Sequence, residues 1–125
     1  MNPAVDEWVS KAEGDFATAG RELRARKAPN YDAVCFHAQQ CAEKYLKAVL
    51  QENKKHIPKI HNLVELMLLC EETDSSFEML RADLVTMDAL PYIRVTLAKL
   101  RKRKMLNLLT PRLKQYENLS GRNWD

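Results

Sequence analysis

Apolar side chains recur every three to four residues along almost the whole chain, and no segment alternates apolar and polar residues like a half-buried strand. Helix breakers are scarce, with 3 Gly and 5 Pro, too few for the many turns of a β-sandwich. A length of 125 residues with 46% hydrophobic residues fits one domain with its own core. The sequence therefore predicts a single all-α domain over residues 1–125, an antiparallel up-and-down bundle of four to five helices.

Capping residues and breaks divide this pattern into four main helices. Asn2, Asn30 and Asn62 each stand just before an apolar periodic run, where a helix N-cap is expected, and Ser75 with Glu78 has capping-box spacing. The expected helices run from Pro3 to about Lys27, from Tyr31 to Glu52, from near Asn62, and from Ser75 to before Pro91. The expected core contains Trp8, Phe16, Val34, Ala38, Tyr45, Val49, Leu63, Leu66, Leu80 and Leu84.

The sequence gives little support for metal or thiol chemistry. His37 and Cys41 stand four residues apart in the second helix, a workable spacing for two metal ligands, but a site needs two more. Cys41 lies on the apolar stripe, and buried thiols are usually inert. The three cysteines are an odd number and do not indicate a disulfide framework. We therefore predict no metal, no cofactor and no nucleophilic cysteine.

The second helix also carries amides and charges on adjoining turns, at Gln39, Gln40, Glu43 and Lys44. Side chains three or four residues apart on a helix meet, so this group can hydrogen-bond within the helix or to a neighbour. The alternative is an ordinary solvated polar face. Physical reasoning from this helix alone favours the solvated face.

Two stretches, in order, resemble the HEPN domain family. Residues 37–48 read HAQQCAEKYLKA, close to the family's helix A-Q-Q-A-A-E-K-x-L-K-A. Residues 59–66 read KIHNLVEL, close to the family's loop and helix start K-T-H-D-L-x-x-L, and Trp8, Ala12 and Asp15 precede both. The resemblance covers about residues 5–90. It implies a small helical bundle that commonly forms a homodimer.

The resemblance also implies a function connected with RNA or nucleotides. Many family members are encoded beside a minimal nucleotidyltransferase as toxin–antitoxin pairs, and the active ones are metal-independent ribonucleases. The ribonucleases use an Arg followed four to six residues later by a His, whereas this chain has Arg94 but no His after His61. The expected function is a nucleotide- or RNA-associated binding module that partners a minimal nucleotidyltransferase, with no catalytic residue of its own. A ribonuclease toxin is the alternative.

By the same resemblance, a bound nucleotide or RNA is expected in a dimer-facing groove beside the second helix and the following loop. The candidate ligands there are His37, Lys44, Lys47 and His61, with Arg94 added if the C-terminal segment folds back. Lys44 and Lys47 are one turn apart and can meet phosphate oxygens as point charges. His61 matches the loop His of the family motif, where capping or packing is expected rather than catalysis. The opposing interpretation is that Lys44 pairs with a carboxylate and Lys47 is solvated.

The charge balance changes abruptly near residue 91. Residues 1–91 carry a net charge of −4 and residues 92–125 a net charge of +7, with five basic residues between Lys99 and Lys104. Such a run can grip phosphates without sequence preference, which makes nucleic-acid binding by the segment 91–125 a further alternative.

The segment 91–125 also lacks the family's Y-P-G-D turn. When the last base of each codon is joined to the first two of the next, codons 92–96 can re-read as Val-Tyr-Pro-Gly-Asp. A shifted reading frame from about residue 90 is therefore a second explanation of the basic segment.

No apolar stretch approaches the ~20 residues that a membrane span needs. The first residues have neither the basic flank nor the apolar run of a signal peptide. The expected location is therefore the cytoplasm, with no membrane partner.

Overall fold

The computed structural model of the chain describes residues 2–89, and every regular element in this range is helical. The elements are α1 (Pro3–Leu23), α2 (Tyr31–Glu52), α3 (Leu63–Glu71), a 3₁₀ turn (Ser75–Leu80) and α4 (Arg81–Ala89). The all-α prediction is confirmed. Within the same residues, no helix is long and apolar enough to cross a bilayer.

Helices α1 and α2 form an antiparallel pair whose starts were predicted from their caps. The side chain of Asn2 accepts a hydrogen bond from the Ala4 N–H, and that of Asn30 accepts one from the Ala33 N–H. Helix α1 ends at Leu23, four residues before the predicted end at Lys27. The carboxylate of Glu22 accepts a hydrogen bond from the Asn30 N–H at 2.5 Å, which closes the connection early.

The buried face of α1 differs from the predicted one. Trp8 and Phe16 are only partly buried and pack against the core, whereas Val5, Val9, Ala12 and Ala19 are buried. The small or β-branched side chains on this face allow α1 to lie close to α2, and the two large aromatic rings lie at the edge of the contact. The other predicted core residues are buried as expected, namely Val34, Ala38, Tyr45, Val49, Leu63, Leu66, Leu80 and Leu84.

The loop after α2 doubles back along that helix. His61, just before α3, contacts Glu43 in the middle of α2, whereas Glu72, just after α3, contacts Lys55 beyond the end of α2. The loop begins with a Schellman arrangement, in which the Lys55 N–H bonds the Leu50 carbonyl and the Lys54 N–H bonds the Gln51 carbonyl. Lys54 adopts a positive φ of 57° there.

Two side chains from different parts of the chain cap the start of α3. Asn62 is the N-cap, as predicted, and accepts a hydrogen bond from the Glu65 N–H. The carboxylate of Asp88, near the end of α4, accepts bonds from the Leu63 and Val64 N–H groups at 3.0–3.3 Å. An anion at a helix N-terminus is also favoured by the helix dipole. Asp88 therefore ties the end of α4 to the beginning of α3.

The predicted capping box at Ser75 is wrong. Asp74 is the cap, since its carboxylate accepts bonds from both the N–H and the hydroxyl of Ser76. Glu78 instead binds Arg81, and α-helical geometry begins only at Arg81. Arg94, the basic run and the proposed frame change lie outside the described residues.

Candidate functional site

The four described candidate ligands fall into two separate groups of charged side chains along α2. We call Asp15, His37 and Lys44 the Asp15 cluster, and Glu43, Lys47 and His61 the Glu43 cluster. Each contains one carboxylate, one imidazole and one ammonium group.

The Asp15 cluster lies on the α1–α2 surface and is partly open to solvent. His37 and Lys44 are two turns apart on α2, so their side chains project from the same face. Asp15 of α1 meets both: its Oδ1 lies 2.8 Å from His37 Nδ1, and its Oδ2 accepts a hydrogen bond from Lys44 Nζ. The side chains of His37 and Lys44 are 28% and 23% exposed. The predicted pairing of Lys44 with a carboxylate is therefore present, and the cluster still reaches the surface.

An exposed aromatic ring adjoins this cluster. Phe36 packs its ring edge-on against His37, with 5.2 Å between the ring centroids and 82° between the ring planes. Phe36 itself is 57% exposed. Asp15 and Phe36 together fix the orientation of the imidazole, because Asp15 holds one ring nitrogen and Phe36 contacts the ring.

The Glu43 cluster has the same groups but a buried centre. The side chains of Glu43 and Lys47 are only 5% and 8% exposed, and Lys47 Nζ lies 3.7 Å from Glu43 Oε1. The Lys47 ammonium group also lies 5.6 Å from the centroid of the Trp8 ring, a cation–π contact. The structure thus shows that Lys47 is not solvated but enclosed between a carboxylate and an indole.

His61 connects this buried pair to the surface. Its Nδ1 lies 2.5 Å from Glu43 Oε1, while the side chain as a whole is 80% exposed. A buried carboxylate therefore orients an exposed imidazole at the start of α3. The interaction fixes the loop on α2, as expected for a packing role of this His.

The partners that organise both clusters were not predicted from the sequence as site residues. Asp15 lies 29 positions before Lys44, and Trp8 lies 39 positions before Lys47. The spacing of Glu43 and Lys47, four residues apart on one helix, was the available signal for an ion pair. Their burial, however, depends on α1 and on the loop that doubles back.

Other kinds of site are weakly supported in the described range. Among residues 2–89, no group of three or more His, Cys, Asp or Glu side chains is placed to hold a metal ion. Cys35, Cys41 and Cys70 are buried thiols. A shallow, mostly apolar cavity of about 290 Å³ lies beside the α2–α3 loop, between Leu50, Lys55, His56, Pro58, Leu69 and Glu72. None of its lining residues belongs to either cluster.

Comparison with known proteins agrees with the fold and with the motif on α2. The family model described as HEPN domain matches residues 5–102, which extends past the predicted limit of about residue 90. No curated protein and no solved structure gives a significant match to the chain. Since the matching model spans most of the 125 residues, the chain belongs to the HEPN domain family.

Proposed function

We propose that this HEPN protein is a binding module for a nucleotide or RNA and that it acts without catalysis of its own. The single observation that carries the proposal is the Asp15 cluster, in which an imidazole and an ammonium group are held side by side at the surface. Both groups are donors suited to phosphate oxygens.

The charge and geometry of the cluster support an anionic ligand. Lys44 has three N–H donors and gives one of them to Asp15, so the others are available for a ligand oxygen. Asp15 offsets one positive charge, and the His37 ring adds a polar group on the same face as Lys44. Phe36 adds an exposed aromatic face beside these donors, on which a base can stack.

His61 belongs to the same proposed binding surface, whereas Lys47 is buried beneath that surface. Lys44 and Lys47 are three positions apart on α2, a spacing at which helical side chains are neighbours, so the two clusters adjoin. The exposed His61 imidazole can approach a ligand from the loop side. Lys47 lies against Glu43, and Glu43 in turn orients His61.

A comparison of two lysine variants tests this proposal. Lys44→Ala removes the ammonium group of the Asp15 cluster, and Lys59→Ala is the matched control, an exposed lysine in the α2–α3 loop. We expect Lys44→Ala to weaken binding of labelled RNA and of adenosine monophosphate at low salt by about tenfold, the loss of one charge-assisted contact. Lys59→Ala should change it little. Undetectable binding in the parent, or equal binding in the parent and Lys44→Ala, removes this site.

We also propose that the protein forms a homodimer and pairs with a minimal nucleotidyltransferase. Among residues 2–89, Phe36, Leu68, Met79 and Val85 expose large apolar side chains, which a second surface would cover. Light scattering at tens of micromolar tests the dimer. Co-expression with the product of the adjacent gene, followed by copurification, tests the pair, and an adjacent gene of another class would contradict it.

A further inference from the structure

The connection between α1 and α2 carries a concentration of positive charge that the candidate site does not use. Arg21, Arg24, Arg26 and Lys27, which we call the Arg21 patch, fall within seven positions, and all four are exposed. The one carboxylate among residues 21–30 is Glu22, and it accepts a hydrogen bond from the Asn30 N–H.

The positions of the arginines do not depend on acidic partners. Arg21 Nη2 donates to the hydroxyl of Thr18 at 3.2 Å, and that hydroxyl itself donates to the Gly14 carbonyl. The guanidinium of Arg24 lies over Gly20, 3.1 Å from where a Cβ of that residue would stand. A neutral hydroxyl therefore holds the Arg21 guanidinium, and both arginines are exposed. Apart from Glu22, the acid nearest in sequence is Asp32, exposed in the first turn of α2.

Helix stability does not account for the whole patch. Cations near a helix C-terminus interact favourably with the helix dipole, which covers Arg21 in the last turn of α1 and the C-cap Arg24. Arg26 and Lys27 lie beyond the helix, where this effect has faded. Four exposed like charges so close together also repel one another, so a ligand of opposite charge relieves an existing cost.

One group of acidic residues in the described part lies at the far end of α2 from the patch. Glu71, Glu72, Asp74 and Glu78 follow one another at the end of α3 and in the 3₁₀ turn, and Glu72 contacts Lys55 beyond the C-terminal end of α2. The patch stands at the opposite end of α2, about 30 Å away along a helix of 22 residues. This polarity directs a polyanion toward the arginines and away from the carboxylates.

We propose that the Arg21 patch binds the phosphate backbone of RNA without sequence preference. Three of its four cations are arginines, whose planar guanidinium groups pair with phosphate oxygens in a bidentate manner. The described residues expose no large apolar side chain between positions 21 and 30 that could anchor the patch in a membrane. The patch is separate from the Asp15 cluster and acts whether or not that cluster holds a nucleotide.

The geometry also sets the size of the ligand. Glu22 is bonded to Asn30, and His37 lies seven residues further along α2, about 10 Å away along the axis. A ligand that contacts both His37 and the patch must bridge this separation, and an RNA of several nucleotides is long enough to do so. Variants in the patch should change binding of an oligonucleotide and leave binding of a mononucleotide unaltered.

Two triple variants of equal charge test the proposal in the full chain. Arg21→Gln, Arg24→Gln and Arg26→Gln are combined in one protein, and Lys54→Gln, Lys55→Gln and Lys59→Gln in its matched control, also drawn from exposed positions. The probe is a fluorescent oligouridylate of about 12 nucleotides at about 50 and 200 mM salt. The basic run at residues 99–104 is present in every protein and adds the same background.

We expect the arginine variant to bind the oligouridylate at least tenfold more weakly at low salt, with a salt slope flatter by about 2, the value for three lost phosphate contacts on a single strand. The lysine control should bind within about threefold of the parent. The same difference between the two triple variants should persist in a Lys44→Ala background, which separates this proposal from the nucleotide site. Far-ultraviolet circular dichroism checks that all variants are folded.

Three results would overturn the proposal. The first is a parent protein that does not bind the oligouridylate. The second is an equal loss in the two triple variants, which would show that only net charge matters. The third is patch-dependent binding to phosphatidylglycerol vesicles without binding to RNA, which would assign the patch to an anionic membrane instead.

Discussion

The Asp15 cluster and the Glu43 cluster use the same three chemical groups and differ in how much water reaches them. In the first, the His and Lys side chains are both about one quarter exposed. In the second, the Lys and the carboxylate are almost completely enclosed and only the His reaches the surface. A lysine is a candidate ligand in one cluster and a structural element in the other, although Lys44 and Lys47 are one turn apart.

This difference shows that residue type and spacing do not decide the role of a charged side chain. A buried ion pair is costly to break, because removal of one partner leaves the other charge without compensation. Water solvates the charges of an exposed pair, so such a pair contributes much less to the free energy of unfolding. The two clusters therefore predict losses of stability of different size for equivalent substitutions.

The largest expected effect is that of Glu43→Ala. It leaves the Lys47 ammonium group buried without a carboxylate and releases His61, so the free energy of unfolding should fall by about 3–5 kcal/mol. Urea denaturation followed by circular dichroism measures it. The double variant Glu43→Leu with Lys47→Met should recover most of the loss, since apolar residues can replace a buried pair. Equal losses for Glu43→Ala and Asp15→Ala would remove the distinction between the clusters.

A smaller loss is expected from Asp15→Asn. Asn keeps the shape of the side chain but loses the charge that Lys44 and His37 meet, and we expect about 1–2 kcal/mol, since both partners still reach water. The same denaturation experiment measures it, with Glu7→Gln, which weakens an exposed pair with Lys11, as the control near zero. A loss as large as that of Glu43→Ala would mean that the Asp15 cluster is also a structural core.

A substitution in the loop that carries His61 into the Glu43 cluster is expected to increase stability. Lys54 adopts a positive φ of 57° at the C-terminal end of α2, a conformation that glycine accepts without strain. Lys54→Gly should raise the free energy of unfolding by up to about 1 kcal/mol without touching either cluster. Lys55→Gly, one position later and without a positive φ, is the control and should give no gain. Equal changes in the free energy of unfolding for Lys54→Gly and Lys55→Gly would show that the positive φ of Lys54 is not the cause.

The smallest effect is expected for a third charged group, in which the carboxylates of Glu71 and Glu78 lie beside Arg81. This group is more exposed to solvent than the Asp15 cluster or the Glu43 cluster. The hydrogen bond from Arg81 lowers the pKa of Glu78 below its usual 4.5, whereas partial desolvation and the neighbouring Glu78 raise the pKa of Glu71. A lowered pKa gives stability that is present above pH 4.5 and lost as the pH falls further. Glu71 acts in the opposite sense and loses its contribution as the pH rises through its raised pKa.

Glu78→Gln should therefore lower the melting temperature slightly at pH 7, and the difference from the parent should shrink as the pH falls below about 4.5. Thermal unfolding from pH 3 to pH 7 measures it. Glu65→Gln, an exposed carboxylate in the first turn of α3, is a convenient comparison. A difference in melting temperature that grows toward low pH would contradict the lowered pKa of Glu78.

The features that the sequence predicts well are those set by neighbours along the chain. Asn2, Asn30 and Asn62 were recognised as caps because an N-cap acts on backbone groups two or three residues away. The apolar periodicity of α2 and α3 placed Tyr45, Leu63 and Leu66 in the core for the same reason.

The features that the sequence does not predict depend on distant partners. Lys47 is enclosed because α1 brings Trp8 to it and the loop brings His61 to Glu43. Neither periodicity nor spacing within one helix contains this information.

The basic segment beyond the described residues has its own explanation. We propose that the residues from about 90 onward are read in a shifted frame, since codons 92–96 can re-read as the family's Val-Tyr-Pro-Gly-Asp turn. Sequencing of the coding DNA tests it. A second frame that lacks this turn, or that contains stop codons across the segment, contradicts it.

The position of Asp88 in the sequence determines which contacts a change of reading frame would leave intact. Its carboxylate bonds the first two N–H groups of α3 from the end of α4, and its codon lies just upstream of the proposed change of frame. An insertion or deletion after that codon leaves intact the message for α1 to α4 and for the bond that joins the last of them to α3. Translation of such an allele still places the Asp88 carboxylate in the chain, where it accepts from the first N–H groups of α3.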